Sequence, residues 1–443
     1  MKSKNLKRKI SLVLTLAMFG VSACSGNGGS PSPSEPGSSA ASGSGEATEP
    51  AGTAAKGEYN TDVTIQIFQS KVEITEQLEA MAREYTALTG VKVEVLGATG
   101  DDFLSNLVAK LGSGQGPTIF NVPPGSTLEK LHTYLYDLSD QPYIADIAEN
   151  QALMYDGKVL GVPYGVEGYG LIYNKDLVDP SKMTDFASFA SYAQELKASG
   201  VAALQLSDKT SFLIGHIFNI PFALQPDFMD YLDKLNKGDV RMAETPEFQE
   251  WAKFMEVIRQ TAENPMGVTY DDQIAGFATA QTAMIHQGNW TWGMFTDYDI
   301  DFDMSIAPLP VMGNDKLSVG MPNAWCINKD RDQAEIDEAL KFFEWFFASE
   351  RGHHYITEEF KFIPALKSIE VTSLDPLAQS VLEYSNSGKT LPWTYRYWPV
   401  GILDTRIFPV GQKFFSDPGM TGQQLLEELD KAWSEGVAAT PVS

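Results

Sequence analysis

The chain has 443 residues, of which 43% are apolar, and carries 58 acidic against 33 basic side chains for a formal charge of −25. That length supports two domains with apolar interiors of their own. So acidic a surface disfavours nucleic acid and anionic lipid as partners, and two cysteines, Cys24 and Cys326, exclude a disulfide-stapled scaffold.

The first residues hold five basic side chains (Lys2, Lys4, Lys7, Arg8, Lys9) and no acid, followed by an apolar run from Ile10 to Phe19. This pattern reads as a secretion signal over 1–23. The run falls well short of the roughly 20 residues that span a bilayer. It ends in Val21-Ser22-Ala23 directly before Cys24, where small residues admit a peptidase and the thiol can take a diacylglycerol group. Those four residues look like a bacterial lipobox with Cys24 as the lipidation site, the plainer reading being an ordinary signal with an incidental cysteine. Residues 24–57 are Ser, Gly, Pro, Ala and Thr with a few Glu, which predicts a flexible tether. Without the leader the formal charge becomes about −30.

Beyond the tether, Thr61–Phe68 alternates polar and apolar as a strand does, and Glu76–Thr89 places Leu78, Met81, Tyr85 and Leu88 at helical spacing. Val91–Leu96 is a second strand, so the segment is a βαβ unit, which implies a parallel sheet. A helix over Asp102–Leu111 and a strand over Thr118–Phe120 follow. Past Pro163, a strand over Gly168–Tyr173, a helix over Phe186–Ala198 and a strand over Ala202–Leu206 begin a second α/β lobe. Helices are predicted at Pro246–Thr261 and at Ala334–Ala348, where Ile336, Ala339, Leu340, Phe343 and Phe347 form a core stripe.

Three motif-like segments carry no site. Gly388-Lys-Thr390 lacks the glycine five residues earlier that a phosphate loop needs, since Glu383 stands there. Asp297-x-Asp299-x-Asp301 begins like a calcium loop but has Phe302 and Pro308 at the glycine and glutamate positions. His353-His354 point about 100° apart on a helix and have no suitably spaced partner for a metal.

Four segments together resemble the extracellular solute-binding proteins of ABC importers, in particular the carbohydrate-binding branch that includes maltose-binding protein. They are Asp156–Leu177, Phe277–Trp290, Phe302–Asn328 and Leu391–Arg406, the last preceding an amphipathic helix over Gly422–Trp433. The resemblance implies an α/β fold of two interleaved lobes, joined by hinge crossings around a central ligand cleft. Lobe one is expected over 58–165 and about 306–355, and lobe two over 166–305 and about 356–443.

What such a cleft holds follows from sugar chemistry. Hydroxyl edges ask for planar hydrogen-bonding groups, and weakly apolar C–H faces ask for flat aromatic surfaces. By resemblance, Trp290 and Trp398 fall at stacking positions and Glu167 where a carboxylate accepts from a sugar hydroxyl. Trp292, Trp325, Trp393 and Tyr395 are further aromatics in the same segments. On lobe one, Gln69, Lys71 and Asn121 lie where strands end, which is where α/β clefts gather contacts. Asp208, with Ser207, Lys209 and His216 nearby, is the lobe-two counterpart. Pro123-Pro124-Gly125 departs from the pattern of maltose-binding protein, which leaves the sugar open.

The expected protein is thus a lipid-anchored receptor on the extracytoplasmic face of the bacterial cell membrane. It binds a mono- or oligosaccharide as a monomer, without cofactor, metal or catalysis, and delivers it to the membrane subunits of an ABC importer. The competing readings are a secreted glycosidase, which would need two carboxylates facing one bond, and a sensory or adhesion lipoprotein on the same fold.

Overall fold

The computed structural model describes residues 59–439 apart from 98–99, 149–150, 263 and 372–373. The leader and the whole tether, Cys24 included, lie outside the described residues. Eleven strands are found among those described: β1 (Thr64–Gln69), β2 (Lys92–Gly97), β3 (Ile119–Val122), β4 (Leu153–Tyr155), β5 (Lys158–Pro163), β6 (Glu167–Asn174), β7 (Met284–Gly288), β8 (Met304–Ala307), β9 (Leu317–Gly320), β10 (Ala324–Ile327) and β11 (Thr390–Leu391).

They form two sheets, one per lobe. The first has the order β2-β1-β3-β10-β5-β4, with β1 parallel to both β2 and β3. The expected βαβ unit is therefore present, its helix spanning Thr75–Thr89. Gly90 closes that helix in the left-handed conformation, φ 81°, which suits a residue without a Cβ. β10 enters antiparallel between β3 and β5, so the sheet is mixed rather than wholly parallel. The second sheet has the order β11-β9-β6-β7, with β8 sharing with β9 the other edge of β6. Gly170 makes this possible, because a Cβ there would stand 2.2 Å from the Ala307 carbonyl oxygen.

This pairing corrects the expected lobe boundaries. β8 and β9 hydrogen-bond to β6, so the chain returns to the first lobe between Gly320 and Ala324, later than the expected 306. Ile356, Phe360 and Leu366 pack in the first lobe's interior, and Leu366 bridges Ile147. The last crossing therefore lies between Ile369 and Pro376, later than the expected 356, and the helix Pro376–Asn386 packs on the second sheet through Leu377 and Val381. Ala202–Leu206 does not form a full strand. It runs beside the second sheet through isolated bridges to Thr282, Ala262 and Ile285.

Aromatic residues dominate both interiors. The helix Gln333–Ala348 buries Ile336, Ala339, Phe342, Phe343, Phe346 and Phe347, while Leu340 remains partly exposed. Each such Phe contributes about 1.5–3 kcal/mol on burial. The second lobe centres on Phe218, Phe222, Phe248, Trp251 and Trp433. No helix among the described residues is long and apolar enough to cross a membrane.

Candidate functional site

A cavity of about 610 Å³ lies between the lobes, within the range of small-molecule sites. The first lobe supplies Ser70, Lys71 and Glu73 from the segment after β1, with Ser126 and Thr127 from the start of the helix Ser126–Leu131 after β3. The crossings add Glu167, Pro322 and Asn323. The second lobe contributes a wall of rings: Phe212, His216, Tyr270, Trp290, Trp393 and Tyr395. Strand ends thus gather the first-lobe contacts, as open α/β sheets do.

The rings support one another. Phe212 stacks with Trp290 at 6.1 Å and 18°, and Trp393 with Tyr395 at 5.7 Å and 24°. Trp290 folds back over Gly288, where a Cβ would come within 2.3 Å of the indole. Its Nε1–H donates to Gln287 Oε1 at 3.1 Å, and Gln287 in turn donates to Gln273 at 2.7 Å. A glutamine relay therefore fixes the indole plane. Trp393 lies against Gly320 in the second crossing, which has no side chain to push the ring away.

Glu167, at the start of β6, is ion-paired with Lys71. Their side chains are only 5% and 10% exposed. Burial alone would lower the Lys71 ammonium, but Glu167 and then Glu73 outweigh it and hold it above its ordinary value. Burial pushes Glu167 up, and Lys71 pulls it back in part. The carboxylate is thus engaged by a cation while it lines the cavity. His216 is held well below its ordinary value by burial, then by His286 and Arg396, so it presents a neutral ring stacked at 4.1 Å on Tyr169. Across the cavity, the Tyr270 hydroxyl donates to Glu73 at 3.4 Å, and helix Trp292–Phe295 meets Val72–Ile74. The lobes therefore touch over the cavity in this conformation.

Of the residues expected from sequence, Lys71, Glu167, Trp290, Trp393, Tyr395 and Trp398 line the cavity. Trp398 contributes little more than an edge, since it is buried against Phe222 at 4.8 Å and Trp433 at 5.6 Å. Five others stand outside the lining. Trp325 is 2% exposed and packs on Phe346 at 4.7 Å, inside the first lobe, because β10 is a central strand. Trp292 packs with the second lobe's satellite cluster around Phe277 and Phe295. Gln69 turns back to accept from the Lys71 backbone N–H at 2.5 Å, and Asn121 is buried, donating to the Tyr164 hydroxyl at 3.3 Å. Asp208 is bound through its backbone to Val268, and its neighbour Lys209 lines the cavity instead.

Sequence reasoning missed Glu73, Phe212, Tyr270 and Arg396 and named His216 only loosely. Phe212 belongs to a widened helical turn, Ser211–Gly215, and a second such turn, Leu403–Ile407, brings Leu403 and Asp404 to the cavity. Turns of this kind are often found at functional sites, but nothing in local composition marks them. Tyr270 opens a helix capped by Thr269, whose hydroxyl accepts from the Asp272 N–H at 3.1 Å.

Residues 80–409 match the bacterial extracellular solute-binding protein family, and the chain belongs to it. Among curated relatives, a maltooligosaccharide ABC transporter solute-binding lipoprotein of Streptococcus pneumoniae R6 is 25% identical over 335 residues, covering 71% of this chain and 76% of its own. Among solved structures, the solute-binding protein RafE in complex with raffinose superposes with a TM-score of 0.72 at 19% identity, covering 84% of this chain and 99% of that one. A sugar transporter of Bacillus licheniformis in complex with stachyose gives 0.70 at 16% identity, covering 84% and 100%. These structures share the two-lobe fold.

Proposed function

We propose that this chain captures a neutral oligosaccharide in the cleft and passes it to an ABC importer, held at the outer face of the cell membrane by a lipid on Cys24. The observation that carries this reading is the aromatic wall facing a polar rim whose charges nearly balance: Lys71, Lys209 and Arg396 against Glu73, Glu167, Asp271 and Asp404. Flat rings cover the C–H faces of a sugar, and the rim meets its hydroxyl edges. A balanced rim favours an uncharged ligand over a uronate or an amino sugar. Relatives that bind maltooligosaccharide, raffinose and stachyose support the same ligand class. Two acyl chains on Cys24 would anchor the receptor stably where one is marginal.

Glycoside cleavage fits less well. It asks for two carboxylates free to face one bond, and of the rim acids Glu167 is engaged by Lys71 and Glu73 by the Tyr270 hydroxyl.

A thermal-shift panel of maltooligosaccharides, raffinose, stachyose and chitin oligosaccharides tests the reading. A ligand at a hundred times its dissociation constant adds about 2.7 kcal/mol of stability. A shift with at least one neutral glycan is expected. No shift with any of them, or release of reducing sugar, contradicts the proposal.

A further inference from the structure

Arg396 has no role in the sequence reading, yet it stands where three parts of the molecule meet. It lies in the single turn Thr394–Tyr397 and lines the cavity. Its guanidinium sits 5.4 Å from the Trp393 ring centre and 5.0 Å from that of Tyr395, the stacked pair of the aromatic wall. Its Nη2–H donates at 2.6 Å to the carbonyl of Pro322, in the second crossing between the lobes.

The third contact comes from the first lobe. Gly125, in the turn after β3, lies so close to Arg396 that a Cβ would stand 2.1 Å from the Arg396 carbonyl oxygen. Gly125 also has φ 83° and ψ −143°, a region essentially reserved for glycine. The residue that broke the family pattern at sequence level thus allows the first lobe to come down onto the Arg396 turn.

The charges around Arg396 point the same way. Among the described residues, Lys71 has a carboxylate partner in Glu167, and no acid forms an ion pair with Arg396. A guanidinium is charged at any accessible pH and presents donors in a rigid plane. Placed over two rings at the cavity wall, it offers those donors to ligand oxygens.

We propose that Arg396 couples ligand capture to lobe closure, which rests on the glycan-binding reading above. It donates to an acceptor oxygen of the bound glycan, and the closed arrangement alone adds the Gly125 contact that seats its turn. A ligand moves a conformational equilibrium only by what it binds better in one state, and a side chain whose turn is seated by closure supplies that difference.

The test uses the purified full chain and its Arg396→Gln and Arg396→Lys variants. Each is titrated calorimetrically with the panel glycan that gives the largest thermal shift, and X-ray scattering is recorded with and without that glycan. Both variants are expected to melt near the wild type without ligand and to bind roughly ten- to a hundredfold more weakly, the loss that follows from one charge-assisted hydrogen bond. The contraction of the wild type on saturation is expected to shrink in both. An unchanged dissociation constant with full contraction overturns the proposal. Should the Arg396 variants not fold, Gly125→Ala reports instead: weaker binding with less contraction supports the coupling, and wild-type binding with full contraction overturns it. Wild-type protein that binds no glycan overturns the functional reading itself, and this inference with it.

Discussion

Lys71 from the loop after β1 and Glu167 from the first strand of the second sheet form a buried ion pair at the floor of the cleft. Removing one member leaves the other charged in an environment that solvates it poorly. Lys71→Met should therefore destabilise the fold by about 3–5 kcal/mol in urea melts. Lys71→Met combined with Glu167→Gln should recover part of that loss, because no uncompensated charge remains. A double variant less stable than Lys71→Met would contradict this account of the pair.

Trp290 tests the aromatic wall. Trp290→Ala removes a ring that is only partly buried in the unliganded cleft, so the fold should persist while glycan binding weakens by roughly tenfold or more. Gly288→Ala should act in the same direction by displacing the indole, which a Cβ at 288 would meet at 2.3 Å. Calorimetric titration beside circular dichroism separates loss of binding from loss of structure.

Trp325 should behave in the opposite way. It packs among Phe342, Phe346 and Phe347, so Trp325→Ala should cost about 3–5 kcal/mol of stability. The dissociation constant of the glycan should stay at the wild-type value where the variant is still folded. A selective loss of affinity would place Trp325 at the ligand after all.

His286 gives a pH signature. Burial lowers its imidazole to about 4, and its Nδ1 is bonded to the Gly170 carbonyl at 2.9 Å. Between that value and the unfolded value the unfolded chain binds the extra proton. Its stabilisation is therefore fully present above about pH 6.5 and drains away as the pH falls towards 4, by up to about 3 kcal/mol. His216, also held low, acts in the same sense, whereas Asp375, raised to about 6 by burial, acts against it. Comparing wild type with His286→Gln isolates one group: the variant should lose less stability between pH 7 and pH 4.5. Equal losses would show that His286 does not titrate as its burial requires.

Much of this architecture is legible in the sequence, and the reasons differ by element. The strands β1 and β2 and the helix between them announce themselves through period and alternation, because each buries one face. The Phe-rich stripe of Gln333–Ala348 is visible for the same reason. Lobe boundaries are not, since β8 and β9 carry no mark of which sheet they join; only pairing with β6 decides it. At the site, Trp290 and Glu167 stand in segments whose order is informative. Trp325 stands in such a segment too, but its strand is central in the first sheet and buried on both faces. Phe212, Tyr270 and Arg396 were missed because they reach the cavity through a widened turn, a helix start and a single turn, none of which has a local signature beyond its fold context. Gly125 was noticed as a departure, and its meaning came only from the 2.1 Å approach to Arg396.

The most direct test of the account is calorimetric titration of the wild-type chain with a neutral glycan from the panel and with the corresponding uronate. The charge-balanced aromatic cleft predicts one site per chain for the neutral sugar and far weaker binding of the acid. Absence of heat with every neutral glycan, or preference for the uronate, would contradict it.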